Sequence, residues 1–322
     1  MTVGIGLVGT GRIGRIHADF LAGSVKGASL AGVHDVRPDS AAALADALGV
    51  PAFDSVEAML ADPAVDAVAI CSSTDTHADL ATAAARAGKA IFCEKPLSLE
   101  LADVDRVRAA LAEAGVPFQI GFNRRFDPSH RSVRDAVTGG TVGDPHLVRI
   151  TSRDPFPPPL DYVRVSGGIF LDMTIHDFDM ARFVTGSEVE EVYARGSVRI
   201  EPSYREVGDV DTALVMLEHE NGCLTAIDNS RRSGYGYDQR VEAFGSHGVA
   251  ASENPAEMPT LFLDRYAASY ELEWEAFVDS LQNGHPPPVG IEDARAPLVI
   301  GLAAWRSLRE RRPVRVEEVA HS

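Results

Sequence analysis

The sequence predicts an α/β protein of two parts, a doubly wound parallel sheet over residues 1–121 and an α+β domain built on an antiparallel sheet over 122–322. Three observations predict it. Short apolar runs alternate with Ala-rich amphipathic stretches through the first third, the hydrophobic period turns to two further on, and a glycine triplet follows the first apolar run.

In the first part VGIGLVG is followed by RIHADFLAG, SLAGVHD by SAAALADALG, VDAVAIC by HADLATAAARAG and AIFCE by ADVDRVRAALAEAG, with PFQIGF closing the series. Apolar strands separated by helices are the pattern of βαβ units whose parallel sheet is covered on both faces. From about residue 122 the texture changes. Pro and Gly cluster at DPFPPPLDY, and TALVMLEH and CLTAIDNS alternate with a period of two about Glu220-Asn221-Gly222, a hairpin signal. DQRVEAF is a further alternating run before the turn GSHG. After the Pro-rich break at His285 to Pro288, EDARAPLVIGLAAWRSLRERR reads as a closing amphipathic helix.

Composition narrows the function. At 322 residues and 45% hydrophobic content the chain can bury two cores. A net charge of -17 and a pI near 5.0 argue against nucleic acid or an anionic membrane as partner, because long-range repulsion opposes both. Cys71, Cys93 and Cys223 are too scattered for a disulfide framework or a metal knuckle and read as small buried side chains in a reducing compartment. MTVGIGLVGTGRIG lacks the basic region and cleavage site of a signal peptide, and glycines break its apolar run, so a cytoplasmic protein is expected.

Gly9-Thr10-Gly11-Arg12-Ile13-Gly14 is GxGxxG, a weak signal alone. Its context strengthens it: a strand precedes the loop, a helix follows, and a second strand ends in Asp35. The glycines allow a tight turn and close approach of a pyrophosphate to a helix N-terminus, which favours anions, so a Rossmann dinucleotide site is expected. Asp35 is placed to accept hydrogen bonds from a ribose diol and would repel a 2′-phosphate, which favours NAD over NADP; Arg12 and Arg37 are the residues that could greet a phosphate.

Only three basic residues are lysine, namely Lys26, Lys89 and Lys95, so a lysine here needs a reason. Lys95, in Glu94-Lys95-Pro96, follows the fourth strand at the carboxyl edge where doubly wound sheets bind ligands. There a lysine can polarise or protonate a substrate oxygen, which arginine cannot do near neutrality. The bland alternative is a solvated lysine beside a loop proline.

FLDMTIHDFDMARF, 170 to 183, is apolar all round as a helix, which marks it as buried, yet Asp172, His176 and Asp179 share one stripe at spacings i, i+4 and i+7. Desolvating two carboxylates and an imidazole is costly unless something polar faces them.

These motifs resemble the glucose-fructose oxidoreductase and inositol dehydrogenase family (Gfo/Idh/MocA) of NAD(P)-dependent sugar and polyol dehydrogenases: GTGRIG at 9 to 14, EKP at 94 to 96, GFNRR at 121 to 125 and GGIFLDMTIHDFDMARF at 167 to 183, the last most like its inositol branch. The resemblance implies a large, mostly antiparallel open sheet in the second domain, whose outer face forms homodimers and often homotetramers. It implies a catalytic group of Lys95, Asp172 and His176. It implies cofactor contacts from Gly9, Gly11, Arg12, Ile13, Asp35, Arg37, Ser72, Thr74, His77, Glu94 and Lys95, and substrate contacts from Asn123, Arg124, Asp154, Asp179 and, less strongly, Tyr235, since Tyr237 lies two residues on. One departure is Ser73, where many relatives carry proline.

Oxidising a secondary alcohol needs a base for the hydroxyl proton and a hydride acceptor within near-attack distance. The acceptor is the cofactor's. His176 is the expected base, with Asp172 fixing its tautomer, Lys95 stabilising the developing alkoxide and Asp179 accepting from ring hydroxyls. A zinc site of the same residues lacks further ligands at suitable spacing, so no metal is expected. The expected reaction is oxidation of myo-inositol to 2-keto-myo-inositol; another inositol isomer, an aldose or an anhydrosugar would suit the same lysine and histidine. A sensor that binds NAD and sugar without turnover is the reading from another class, and the intact Lys95, Asp172 and His176 set argues against it.

Overall fold

A computed structural model of the chain describes residues 2–255 and 257–320. It divides into two units, Met1–Phe122 with Tyr270–Arg295, and Asn123–Ser269 with Ala296–Ser322.

The first unit carries a parallel sheet of β1 (Val3–Val8), β2 (Ala28–His34), β3 (Ala67–Ile70), β4 (Ala90–Glu94) and β5 (Phe118–Gly121) in the order β2-β1-β3-β4-β5. Each strand matches an apolar run in the sequence. Burial on both faces explains why those runs are continuous: every residue of β1, β3, β4 and β5 is buried. The strand order reverses beside β1, and the crevice at the carboxyl ends of the strands there is where this topology takes ligands.

The chain does not leave this unit for good at residue 121, the boundary expected from the change of texture. Tyr270–Arg295 returns to it. Trp274 stacks on Phe92 of β4 with ring centroids 4.1 Å apart, and Trp274, Phe277 and Val278 join the core of Val3, Ile5, Leu7 and Leu21.

The second unit is built on β6 (Pro145–Arg153), β7 (Val189–Ser197), β8 (Thr212–His219), β9 (Leu224–Ser230), β10 (Asp238–Gly245), β11 (Val249–Ala251) and β12 (Val314–Arg315), in the order β11-β10-β6-β9-β8-β7-β12. All neighbours are antiparallel except β6 and β9. The period of two is visible in β8, where Ala213, Val215 and Leu217 are buried while Leu214 and Met216 are exposed. Leu214, Met216, Leu224 and Phe244 leave an apolar band on the outer face. The inner face packs on the helix Ile175–Thr185, and no described helix is long and apolar enough to cross a membrane.

Candidate active site

In the first unit the glycine loop has the shape a dinucleotide requires. A Cβ on Gly9, whose φ is +96°, would lie 2.5 Å from the Ser72 amide nitrogen, and one on Gly14 would lie 1.8 Å from the Gly9 carbonyl oxygen. Neither position accepts a side chain. At Gly11 a Cβ would meet nothing within 4 Å, so backbone faces open space where the helix Arg12–Gly23 begins. No side chain caps that N-terminus, Arg12 is exposed, and Ile13 packs against the core. These residues fit the pyrophosphate of a dinucleotide, held by amides and helix dipole.

Asp35 ends the second strand with its carboxylate already oriented. Oδ2 accepts from the Thr10 amide at 2.8 Å and hydroxyl at 2.9 Å, while Oδ1 accepts from the Arg37 amide at 2.9 Å. Arg37 Nε reaches Oδ1 only at 3.4 Å. Oδ1 therefore keeps acceptor capacity for a ribose hydroxyl. Burial opposes ionisation of Asp35, but the amides of Arg37 and Thr10 and the Thr10 hydroxyl outweigh it and hold the carboxyl below its ordinary range.

Beside β4 the expected contacts divide. Ser72, in the loop after β3, and Thr74, which opens the helix Thr74–Arg86, are half-buried, and Ser72 Oγ lies 2.6 Å from Thr76 Oγ1. His77 is a clamp: it is buried, with Nδ1 2.9 Å from the Pro96 carbonyl oxygen and Nε2 3.0 Å from that of Ser72. The buried ring thus lies between this loop and the Lys95–Pro96 turn, and as a neutral imidazole it can donate to only one of the two carbonyls. Burial pulls its pKa down. Glu94 is likewise turned inward. Its Oε1 is 2.7 Å from His17 Nε2 and its Oε2 accepts from the Lys95 amide at 3.0 Å. The indole of Trp274 can only donate, and it donates to His17 Nδ1 at 2.8 Å, so the ring proton sits on Nε2 and points at Glu94. Glu94 thus orients the backbone of Lys95, which is half-buried and follows β4 through a cis bond to Pro96.

In the second unit the segment read as one helix is two. Gly168–Asp172 ends where the amides of Met173 and Thr174 both donate to the Ile169 carbonyl, and a new helix runs Ile175–Thr185. The wide turn shifts Asp172 out of helical register with His176 and Asp179. The apolar residues behave as expected, with Phe170, Met173, Ile175, Phe178 and Met180 all buried. Asp172 closes the short helix: its Oδ1 accepts from the Tyr162 hydroxyl at 2.8 Å and its Oδ2 from Arg231 Nη1 at 3.2 Å. His176 is half-buried in the first turn of the second helix.

The family profile described as "Oxidoreductase family, NAD-binding Rossmann fold" matches residues 3–122, and that of the "GFO/IDH/MocA C-terminal domain" matches residues 130–251. The chain belongs to this oxidoreductase family. A Thermotoga maritima relative described as a myo-inositol 2-dehydrogenase is 50% identical over 331 aligned residues, covering 98% of this chain and 99% of its own. A Rhizobium meliloti inositol 2-dehydrogenase is 45% identical over 336, covering 98% and 100%. Among solved structures, scyllo-inositol dehydrogenase from Lactobacillus casei with bound NAD(H) and scyllo-inositol superposes with a TM-score of 0.91 at 30% identity, covering 98% of this chain and 100% of that one.

Several of the substrate contacts expected from Gfo/Idh/MocA membership move. Asp179 is 1% exposed and bonded by Arg125 through Nε at 2.8 Å and Nη2 at 2.6 Å, so it is a structural ion-pair acid rather than an open acceptor. Arg124 is also buried, donating from Nη1 to Asp177 Oδ1 at 2.8 Å and to Ser152 Oγ at 3.0 Å. Burial pushes Asp177 above the usual carboxylate range even with Arg124 beside it. Asn123 donates to Ser269 Oγ at 3.1 Å. Tyr235 is exposed and donates to Asp238, whereas Tyr237 is buried, 3.4 Å from Arg124 Nη2, and Asp154 acts on it electrostatically. Tyr237 is the tyrosine near Arg124 and Asp154, while Tyr235 pairs with Asp238. Burial pushes the Asp154 carboxyl up to about 6, against the pull of Arg124 and Arg231.

Sequence reasoning missed Asp177 and Arg231. Asp177 carried no distinguishing signal, being one more acid in a segment whose three-residue polar stripe fitted an unbroken helix better without it. Arg231 is marked in the sequence only as one of the pair Arg231-Arg232 that follows an alternating strand.

Proposed function

We propose that this protein oxidises a secondary hydroxyl of a cyclic polyol, myo-inositol to 2-keto-myo-inositol, using NAD. The observation that carries this reading is the full-length likeness, at 50% identity, to the Thermotoga maritima myo-inositol 2-dehydrogenase. NAD supplies the hydride acceptor. His176 takes the hydroxyl proton as general base, the negative charge of Asp172 stabilises its imidazolium, and Lys95 donates to the oxygen on which negative charge develops. Asp154 and Tyr237 read the hydroxyl pattern. Asp35 sets the preference for NAD over NADP by holding a carboxylate where a 2′-phosphate would have to sit. The exposed apolar band of Leu214, Met216, Leu224 and Phe244 supports self-association through the outer face of the second sheet.

A second reading takes scyllo-inositol as substrate and is favoured by the Lactobacillus casei relative with that ligand bound. A panel of cyclitols and aldoses with NAD and NADP, followed by the near-ultraviolet absorbance of the reduced cofactor, separates the readings. The expected result is a kcat/KM for myo-inositol with NAD at least about tenfold above any other pair, because a site built for one hydroxyl pattern strands polar groups when a hydroxyl is inverted. A tenfold advantage for scyllo-inositol or an aldose overturns the substrate assignment. Tight NAD binding without turnover of any polyol returns the protein to the sensor reading.

A further inference from the structure

We propose that Arg231 is a positioning residue for the reaction, fixing the orientation of the Asp172 carboxylate; the proposal rests on the reading of Asp172 as partner of the base. Arg231 follows β9, its amide donates to the Asp211 carbonyl at 2.9 Å, and its side chain is only 1% exposed. Nη1 donates to Asp172 Oδ2 at 3.2 Å, and Nη2 lies 3.7 Å from Asp209 Oδ2. Asp209 in turn accepts from the amides of Ile169 at 3.0 Å and Val210 at 2.8 Å.

The consequence is a closed circuit around the short helix Gly168–Asp172. Its first turn is tied to Asp209 through the Ile169 amide, its last residue is tied to Arg231, and Arg231 pairs with both acids. The Tyr162 hydroxyl holds the other oxygen of Asp172 at 2.8 Å. A carboxylate bonded at both oxygens cannot rotate about its Cβ–Cγ bond without losing one of them, so its remaining lone pairs keep fixed directions. The guanidinium is steadied from a third side by the Tyr204 ring, 6.0 Å away at its centroid, whose hydroxyl donates to the Pro158 carbonyl at 2.6 Å.

Stability alone does not explain this arrangement. A buried guanidinium is expensive, and well-packed apolar residues serve a core as well or better. Arg231 Nε and Nη2 have no hydrogen-bond partner among the described residues, so the residue is not optimised as a structural tie. The geometry it does satisfy is the one that orients Asp172.

The test is a double-mutant cycle of Arg231→Lys and Arg231→Gln with Asp172→Asn, assayed with myo-inositol and NAD, with NAD affinity measured separately by equilibrium binding. Arg231→Gln is expected to lower kcat by about 10- to 100-fold, and Arg231→Lys by about tenfold because a point charge cannot bridge both acids, with NAD affinity within about twofold. Adding either change to Asp172→Asn should cost less than about threefold more, since the residue acts through Asp172. Losses that multiply instead, or wild-type kcat in Arg231→Lys, overturn the proposal while the functional reading stands. The lysine variant keeps the charge and carries the test if the glutamine variant does not fold. A wild-type protein inert on every cyclitol overturns the functional reading and this inference with it.

Discussion

Replacing Asp154 by asparagine should stabilise the protein at neutral pH while damaging its activity. The Asp154 amide donates to the Ser230 carbonyl just beyond β6, and its carboxyl is held among Arg124, Arg231, Asp172 and Asp177. Burial is the largest influence and raises its pKa from 3.8 to about 6 despite the two arginines. Below the unfolded value the carboxyl is protonated in both states and costs nothing. As pH rises from there through about 6 the unfolded chain ionises first, so stability is lost across that window and the loss is complete above it. Two pKa units correspond to about 3 kcal/mol, a ceiling because the residue keeps some solvent contact. The asparagine side chain keeps the shape and removes the charge. Calorimetric unfolding of wild type and Asp154→Asn should therefore coincide near pH 4 and separate by roughly 2–3 kcal/mol at about pH 8, raising the variant's Tm by several degrees. The variant's kcat/KM for a cyclitol should fall by about tenfold or more, the usual opposition between stability and a strained site. A stability difference that does not change with pH, or a variant less stable than wild type in mild alkali, refutes the reasoning.

Other substitutions probe the remaining groups. Lys95→Ala should reduce kcat by about two to four orders of magnitude with NAD affinity nearly intact, and Lys95→Arg should fail almost as badly, because arginine keeps charge but not reach or proton exchange; near-normal turnover in the arginine variant would show that charge suffices. Wild type should prefer NAD to NADP by more than about tenfold in kcat/KM, and Asp35→Ser should move the ratio toward NADP; an equal or inverted wild-type ratio sinks the role of Asp35. Glu273 is fully buried near Glu94, and burial raises its pKa well above 4.5. A raised pKa means stability is lost as pH rises from the unfolded value through the folded one, so Glu273→Gln should match wild type in acid below the unfolded value and exceed it increasingly as pH rises; a variant less stable than wild type across that range would show that the carboxyl proton, not mere neutrality, matters.

How much of this is legible in the sequence depends on the range of the interaction. The five parallel strands are readable because burial on both faces writes itself as unbroken apolar runs such as AIFCE, and β8 because one-sided burial alternates. The return of Tyr270–Arg295 is not. Its apolar face shows that YELEWEAFVDSL packs on something, but periodicity cannot say which core, and the stack of Trp274 on Phe92 joins residues far apart along the chain. The cofactor loop is legible because its glycines, helix and Asp35 lie within one βαβ unit. The motifs imply cofactor contacts for His77 and Glu94, yet both side chains turn inward as supports, since a motif fixes neighbourhood but not which way a side chain points.

The acids of the second unit show where such reading stops. Asp172, Asp177 and Asp179 are alike in sequence and close neighbours along the chain, yet each has a different fate decided by a different arginine. Arg124 neutralises Asp177 and Arg125 neutralises Asp179, both from the 3-10 turn Asn123–Phe126, so these pairs bind that turn to the buried helix. Asp172 escapes them because the turn at Met173 and Thr174 rotates it away, toward Tyr162 and Arg231. Around Arg231 lie Asp154, Asp172 and Asp209, of which Asp154 is also reached by the charge of Arg124. Raising the pKa of Asp154 toward neutrality is one way such a cluster sheds charge, and binding a neutral hydroxylated ligand rather than an acid is another. The same excess of acceptors that makes the cluster costly to fold would suit it to hydroxyl donors, and the proposed preference for a polyol over a sugar acid is consistent with the arginines being claimed by Asp177 and Asp179.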